Sequence, residues 1–181
     1  MNVLPSAVFL DRDGTIIEDA HYLSKPEQVR LIPGAADAIA RANAAMVPVI
    51  VITNQSGIGR GILTDEDHER ITARLNELLN EAAARIDATY YCPHTPEEAC
   101  DCRKPGTLLF RNAATQLGID LKRALYIGDK LRDIEPAFSF GGQGVLIPSP
   151  ETPPSDILTA VERARVAPSL GVAFDRFLCT N

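Results

Sequence analysis

Short apolar runs alternate with stretches of helical periodicity, and this alternation limits the folds open to the chain. The runs that we predict to be strands are residues 7–10, 47–52, 88–91, 124–127 and 144–147. Strands separated by helices pair mainly in parallel, because each crossover lays a helix on one face of the sheet. The sequence therefore predicts an α/β fold, a Rossmann-like doubly wound sheet that is mainly parallel and has helices on both faces.

Helices are predicted between these strands from apolar spacing and from residues that start or end helices. Thr64 is a typical N-cap, and the apolar positions after it, from Ile71 to Ile86, are spaced by three and four residues. Gly118 is suited to the end of a helix. The other predicted helices are 34–45, 107–117, 131–140 and 157–166.

The domain organisation is expected to be simple. We predict that residues 1–181 form a single domain, as is usual for a chain of this length. The proline-rich stretch 148–154 is interpreted as a connector to a less certain C-terminal tail over residues 150–181.

The charge balance of the chain argues against two classes of partner. The formal net charge is −6 at pH 7 and the sequence pI is about 5.1, whereas proteins that bind nucleic acids or anionic membranes generally carry a basic surface. The sequence contains no apolar run of about 20 residues and no signal-peptide pattern at its start. We therefore expect a cytoplasmic protein with no nucleic-acid or membrane partner. We also expect the protein to be a monomer.

Acidic residues follow two of the predicted strands directly. Asp11 and Asp13 follow the first, and Asp129 and Asp133 follow the fourth. Ligands bind at the carboxyl ends of strands in doubly wound sheets, so these groups are expected to meet at one edge. Carboxylates brought together are costly without a cation, and Mg²⁺ prefers oxygen ligands. The sequence therefore predicts a Mg²⁺ site; the alternative is two solvated turns, where aspartate and glycine are common.

The segment between residues 92 and 102 has the composition of a zinc site. Three thiols and one imidazole are a complete set for tetrahedral Zn²⁺, and four protein ligands leave no open position for catalysis. The predicted ligands are Cys92, His94, Cys100 and Cys102. We therefore predict a structural zinc loop directly before Arg103 and Lys104; the alternative is a set of reduced cysteines unrelated to metal.

Four motifs, in order along the chain, resemble those of the haloacid dehalogenase superfamily of phosphatases. They are Asp11-Arg12-Asp13-Gly14-Thr15, Thr53, Lys104 and Gly128-Asp129-x-x-x-Asp133. The resemblance implies that Asp11 attacks phosphorus as a covalent nucleophile and that Asp13 acts first as general acid and then as general base. It also implies that Mg²⁺ is bound by the carboxylates of Asp11 and Asp129 and by the backbone carbonyl of Asp13.

The same resemblance implies roles for the remaining motif residues. Thr53 would donate a hydrogen bond to a phosphoryl oxygen, and Lys104 would balance negative charge on the nucleophile and the transferring group. Lys130 is a second candidate for charge balance. Asp133 would orient a lysine or a metal-bound water from the second layer of the site.

Two longer stretches narrow the resemblance. Cys-x-His followed by Cys-x-Cys-Arg-Lys-Pro, together with Thr-Asn-Gln-Ser-Gly-Ile-Gly-Arg-Gly, resembles the family of D-glycero-D-manno-heptose-1,7-bisphosphate 7-phosphatases. This implies hydrolysis of the C7 phosphate, in heptose biosynthesis for lipopolysaccharide. The histidinol-phosphate phosphatase domain has a similar pattern. That substrate, another small phosphorylated metabolite, phosphotransfer to a second alcohol, and a catalytically silent binding module stay open as alternatives.

Substrate selection is expected to depend on short loops, because the interval between Asp13 and Thr53 leaves no room for a large cap domain. The candidate loops are 16–28, 53–61 and 92–104. The candidate substrate-binding residues are Asn54, Gln55, Ser56, Arg60, Arg103 and Lys130. The distal phosphate of a sugar bisphosphate would meet Arg103 or Arg60. Glu18 and Asp19 would instead suit the amine and imidazole of histidinol phosphate.

Three further residues with reactive side chains have no partner in the sequence. They are His21, His68 and Cys179. His68 lies in a charged helix start, so we expect it to be solvated. Cys179 is interpreted as an incidental thiol of the tail.

Overall fold

A computed structural model describes residues 4–178, and the strands in this range form one sheet. The strands are β1 (Val8–Leu10), β2 (Val49–Asn54), β3 (Ala88–Cys92), β4 (Leu125–Gly128), β5 (Gln143–Leu146) and β6 (Arg165–Val166). Their order is β3-β2-β1-β4-β5-β6, and every neighbouring pair is parallel. The order changes direction between β1 and β4, so the carboxyl ends of these two strands flank the crevice where doubly wound sheets bind ligands.

Helices lie between the strands and cover both faces of the sheet. They are α1 (Ala35–Ala44), α2 (Ser56–Gly59), α3 (Asp65–Glu81), α4 (Leu108–Leu117), α5 (Leu131–Phe140), α6 (Pro154–Arg163) and α7 (Leu170–Leu178). Side chains of α1, α3 and α7 pack with Val49 and Val51 of β2, whereas α4 packs with Ile50 and Ile52. Successive strand residues point to opposite faces, so a strand covered on both faces is apolar throughout. The predicted doubly wound α/β fold is confirmed.

Two residues that were predicted to bound helices do so. The Thr64 hydroxyl accepts a hydrogen bond from the backbone N–H of Asp67 at 3.1 Å, and Asp67 Oδ2 accepts one from the Thr64 N–H at 3.0 Å. Gly118 follows α4 with φ of 68°. The helix α3 ends at Glu81, earlier than the apolar spacing predicts, and Ala83 then turns the chain with φ of 55°.

The C-terminal part differs from the helix predicted over residues 157–166. The helix α6 already begins at Pro154, in the stretch interpreted as a connector, and ends at Arg163. Ala164 leaves the helical conformation, with φ of −140° and ψ of −142°, and the next two residues pair with β5 as β6. A two-residue strand is too short to show a period of its own, which explains why the pattern did not predict it.

The chain ends, as far as it is described, on a packed helix. Phe174 of α7 is fully buried in the core beside α1, and Arg41 of α1 pairs with Asp175 at 2.5 Å. Cys179 lies outside the described residues. Among the helices between residues 4 and 178, none combines the length and the apolar character needed to cross a bilayer.

Candidate active site

Three aspartates meet at the carboxyl edge of the sheet. Asp11 follows β1, Asp129 follows β4, and Asp133 lies in the first turn of α5. One carboxylate oxygen from each lies within 4.8 Å of the others, and all three residues are buried. Gly14 and Gly128 permit the close approach, because a Cβ at Gly14 would lie 2.5 Å from Asp129 Oδ2 and one at Gly128 would collide with Asp133.

Lys104 supplies a buried positive charge that faces this group. Its Nζ lies 2.6 Å from Asp11 Oδ1 and 2.7 Å from Asp133 Oδ1, and it donates to the carbonyl oxygen of Ile52 at 2.6 Å. Burial by itself would lower the pKa of Lys104, but the two carboxylates outweigh burial and raise that pKa above its usual value. Lys104 is therefore charged at neutral pH.

The three carboxylates have the chemistry of a magnesium site. Burial raises the pKa of Asp11 to about 7; the charge of Lys104 opposes this rise, and the neighbouring carboxylates reinforce it. Burial likewise raises the pKa of Asp129. Lys130 Nζ, which lies 2.8 Å from Asp129 Oδ2, and Lys104 balance part of the negative charge of these carboxylates. A buried cluster of carboxylate oxygens also fits Mg²⁺, which would balance the rest.

The side chain of Asp13 lies outside this carboxylate group. Its oxygens accept hydrogen bonds from Arg12, with Nε 3.0 Å from Oδ2 and Nη2 3.1 Å from Oδ1, and from Gln55 Nε2 at 3.0 Å. Gln55 Nε2 also donates to Thr53 Oγ1 at 2.8 Å. The amide of Gln55 therefore links Asp13, the expected general acid, to Thr53, the expected hydrogen-bond donor to the phosphoryl group. The metal contact expected of Asp13 concerns its backbone carbonyl and stays a prediction.

A cavity of about 360 Å³ lies at this edge of the sheet. The predicted site residues in its wall are Asp11, Asp13, Thr53, Asn54, Gln55, Ser56, Arg103, Lys104 and Lys130. The loop over residues 16–28 contributes Asp19, His21, Tyr22 and Leu23. Glu18 and Asp19 were predicted to form an acidic patch for histidinol phosphate. Glu18 instead lines a separate cavity beside the start of α1.

Two arginines are placed differently from the sequence expectation. Arg132, in the first turn of α5, lines the cavity and was not singled out, although it directly precedes a motif aspartate. Arg60 is not among the residues that line the cavity; it follows the short helix α2, and its Nη2 lies 3.6 Å from Glu97 Oε2. The orientation of α2 therefore directs Arg60 toward a neighbouring loop.

His68 is buried, so the prediction that it is solvated is wrong. Its Nδ1 lies 3.4 Å from Arg12 Nη1, and its ring centroid lies 4.1 Å from that of Tyr91. Burial lowers the pKa of His68 to about 4, and the charge of Arg12 adds to this effect. The sequence did contain a signal, because helical spacing puts His68 on the buried stripe of α3 with Ile71, Leu75 and Leu79.

The four predicted zinc ligands converge after β3. Their donor atoms all lie within 4.8 Å of one another. His94 Nδ1 lies 3.1 Å from Cys102 Sγ, which in turn lies 3.0 Å from Cys92 Sγ. A closed set of three thiols and one imidazole fits a structural Zn²⁺. Arg103 donates from Nη1 to the carbonyl oxygen of His94 at 3.2 Å, which joins this loop to the cavity wall.

Comparison with known proteins identifies similar sequences. A family model described as HAD-hydrolase-like matches residues 101–173. The D-glycero-beta-D-manno-heptose-1,7-bisphosphate 7-phosphatase of Pseudomonas putida is 41% identical over 141 residues, which cover 77% of this chain and 81% of the relative. The protein of the same name from Escherichia coli K12 is 37% identical over 138 residues, or 72% of each chain.

Solved structures with similar folds carry related names. A crystal structure of D,D-heptose 1,7-bisphosphate phosphatase from B. bronchiseptica, complexed with magnesium and phosphate, aligns with a TM-score of 0.85 at 29% identity. It covers 95% of this chain and 98% of that chain. The enzyme of that name from Burkholderia thailandensis aligns with a TM-score of 0.72 at 27% identity, covering 96% and 99%.

Proposed function

The chain belongs to the haloacid dehalogenase-like phosphatases, in the family of its heptose-1,7-bisphosphate 7-phosphatase relatives, and we propose that it removes the C7 phosphate of D-glycero-D-manno-heptose 1,7-bisphosphate. Its place would be in heptose biosynthesis for lipopolysaccharide. The observation that carries the proposal is the contact between Lys104 and Asp11 in the wall of a cavity that also bears arginines. A buried carboxylate is thereby held where a phosphate monoester enters.

In the first proposed step, a carboxylate oxygen of Asp11 attacks phosphorus and the bond from phosphorus to the C7 oxygen breaks. Asp13 gives its proton to that oxygen, and the heptose 1-phosphate leaves with the phosphoryl group retained on Asp11. Lys104 orients the nucleophile and offsets the charge of the phosphoryl oxygens. The hydroxyl of Thr53, which also lines the cavity, is the proposed donor to one of those oxygens.

In the second proposed step, Asp13 takes a proton from water as the water oxygen attacks phosphorus. The acyl phosphate bond breaks, inorganic phosphate leaves, and Asp11 returns to the carboxylate form. Asp11 and Asp129 would hold Mg²⁺, whose positive charge would let an anionic nucleophile approach an anionic ester. Asp133, 2.7 Å from Lys104 Nζ, holds that lysine toward the reacting carboxylate.

The distal phosphate is assigned to the cationic side of the cavity. Arg103, Lys130 and Arg132 all line it. Burial lowers the pKa of Arg103, and the charge of Arg132 adds to this effect, so an anion bound near the two arginines would reduce their repulsion. Histidinol phosphate offers cations at this end, and Asp19 is the acidic residue of the predicted patch that lines the cavity. The cationic wall therefore favours the bisphosphate.

The proposal also includes a structural metal, and it leaves the location and partners of the protein as predictions. Zn²⁺ bound by the cysteine and histidine cluster would hold the loop that carries Arg103 and Lys104. A cytoplasmic location, a monomeric state and the lack of nucleic-acid or membrane partners stay predictions.

The test is phosphate release from both anomers of heptose 1,7-bisphosphate and from histidinol phosphate, with Mg²⁺ and with EDTA. We expect Mg²⁺-dependent release from the bisphosphate, with ³¹P spectra that lose the C7 signal and keep the C1 signal. Preference for histidinol phosphate would overturn the substrate and keep the mechanism. No release from these or from other phosphate esters would favour the binding module, and phosphate transfer to an added alcohol would favour phosphotransfer.

A further inference from the structure

The imidazole of His68 makes a buried contact that the proposed reaction leaves unused. Its Nδ1 lies 3.4 Å from Arg12 Nη1, on the side of α3 that faces the sheet. The ring also packs against Tyr91, whose hydroxyl donates to Asp65 Oδ1 at 2.8 Å. The ring therefore contacts both a guanidinium group and a phenol that is itself hydrogen-bonded.

The direction of the hydrogen bond follows from the chemistry of the two groups. A guanidinium carries donors and has no acceptor, so Nδ1 of His68 must accept and the ring proton must lie on Nε2. A protonated imidazole has no acceptor and would repel Arg12. The low pKa of His68, which burial lowers first and Arg12 second, agrees with a neutral ring.

Arg12 uses its other nitrogens to hold Asp13. Nε and Nη2 form a fork on the two carboxylate oxygens, and the Arg12 side chain is only 3% exposed. A buried guanidinium nitrogen without an acceptor is costly, so loss of the His68 contact would drive Arg12 to a new orientation. The fork on Asp13 would move with it, because both contacts belong to one rigid plane.

We propose that His68 is a positioning residue for the general acid and base, holding Arg12 so that its fork sets the orientation of the Asp13 carboxyl group. The inference rests on the proposed function, because the acid and base role of Asp13 belongs to it. Gln55 Nε2 donates to Oδ2 of the same carboxyl group and also to Thr53 Oγ1. The two contacts together fix a group whose side chain remains 22% exposed toward the cavity.

The test compares two kinds of substrate. The value of kcat/KM includes steps only up to departure of the first product, so it reports the acid role of Asp13 and not the later attack of water. An alkyl phosphate needs a proton on its leaving oxygen, whereas p-nitrophenyl phosphate leaves without one. His68→Phe keeps a ring against Tyr91 and removes the acceptor. We expect it to lower kcat/KM for the alkyl ester about tenfold or more, with the aryl ester near the wild-type value.

A conservative variant and a double variant complete the design. His68→Asn keeps an acceptor near the position of Nδ1, so it should recover most of the lost activity on the alkyl ester. Asp13→Asn should show the same substrate pattern in stronger form, and adding His68→Phe to it should cause no further loss. Equal losses on both esters, no loss on either, or full additivity in the double variant would overturn the positioning role.

A spectroscopic readout keeps the inference testable if His68→Phe fails to fold. ¹⁵N spectra of the wild-type protein near neutral pH should show His68 Nδ1 without a proton, and a protonated Nδ1 would refute the contact. The test of His68 does not depend on the heptose bisphosphate being the substrate. Any alkyl phosphate that the enzyme hydrolyses can be compared with p-nitrophenyl phosphate. A wild-type protein that hydrolyses no phosphate ester would remove the proposed function and this role with it.

Discussion

Asn54 and Lys104 are joined by two reciprocal hydrogen bonds. The backbone N–H of Lys104 donates to Asn54 Oδ1 at 3.0 Å, and Asn54 Nδ2 donates to the carbonyl oxygen of Lys104 at 3.2 Å. The sequence suggested Asn54 as a substrate contact, and it does line the cavity. Its side chain also ties the end of β2 to the loop that carries Lys104, which makes it a structural link between two motifs.

We therefore expect Asn54→Ala to lower kcat more than it raises KM. Loss of both hydrogen bonds would let the Lys104 backbone shift, and a small displacement of a catalytic group costs about 10- to 100-fold in rate. Steady-state kinetics with the bisphosphate measure the split. Asn54→Asp keeps the acceptor and loses the donor, so an intermediate effect is expected. A pure KM effect would show that Asn54 acts on the substrate alone.

Asp11→Asn should abolish turnover. The variant removes the nucleophile and keeps the size of the side chain, so activity should fall at least about 1,000-fold. Phosphate release measures the loss, and circular dichroism with a thermal melt checks that the fold is retained. Retained turnover would exclude Asp11 as the nucleophile. An inactive wild type whose partner binding survives Asp11→Asn would instead support the binding module.

Removal of zinc should weaken both stability and activity. Elemental analysis of the purified protein should give about one zinc per chain if the cluster is a structural site. A strong chelator, or Cys100→Ser, should cost about 2 kcal/mol and lower the Tm by about 4–8 °C for a chain of this length. The melt and the activity should be measured with Mg²⁺ in excess. A protein that holds no thiophilic metal and melts unchanged with chelator would refute the zinc loop.

Acid should destabilise the protein partly through His68. Its folded pKa is lowered from 6.5 to about 4, so the stability that the neutral ring contributes is fully present above 6.5 and is lost as pH falls through the folded pKa near 4. The loss should be on the order of 2 kcal/mol. Urea unfolding at neutral and acidic pH, for the wild type and His68→Asn, isolates this part. An identical pH dependence in both proteins would contradict it.

Arg132→Ala should affect the bisphosphate more than a monophosphate. If Arg132 contacts the distal phosphate, the variant should lose about tenfold in kcat/KM for heptose 1,7-bisphosphate, equivalent to one charge-assisted contact. Heptose 7-phosphate should lose much less, because it has no C1 phosphate. Arg163→Ala is a matched control, since Arg163 stacks on Phe138 outside the cavity. Equal losses on the two sugars would place Arg132 away from the distal phosphate.

The sequence by itself determined the sheet and the chemistry at its edge. Alternating strands and helices favour parallel pairing, and parallel strands present their carboxyl ends at one edge, so Asp11 and Asp129 were expected at the same edge of the sheet. The structure adds that β1 and β4 are neighbouring strands. The cluster of predicted zinc ligands was equally accessible from the sequence, because all four residues lie in one short segment and a single loop brings them together. Local sequence patterns are enough to predict a site when its residues lie at the ends of parallel strands or within one short loop.

Tertiary structure alone decided which side chains face the cavity. Arg132 lines it and Arg60 does not, although both lie beside motif residues, because the orientations of α5 and α2 depend on how distant elements pack. His68 meets Arg12 across 56 positions of sequence, and its charged neighbours concealed the buried stripe to which it belongs. Contacts of this kind depend on side-chain direction across separate elements, and the period of a single helix or strand carries no information about its partner.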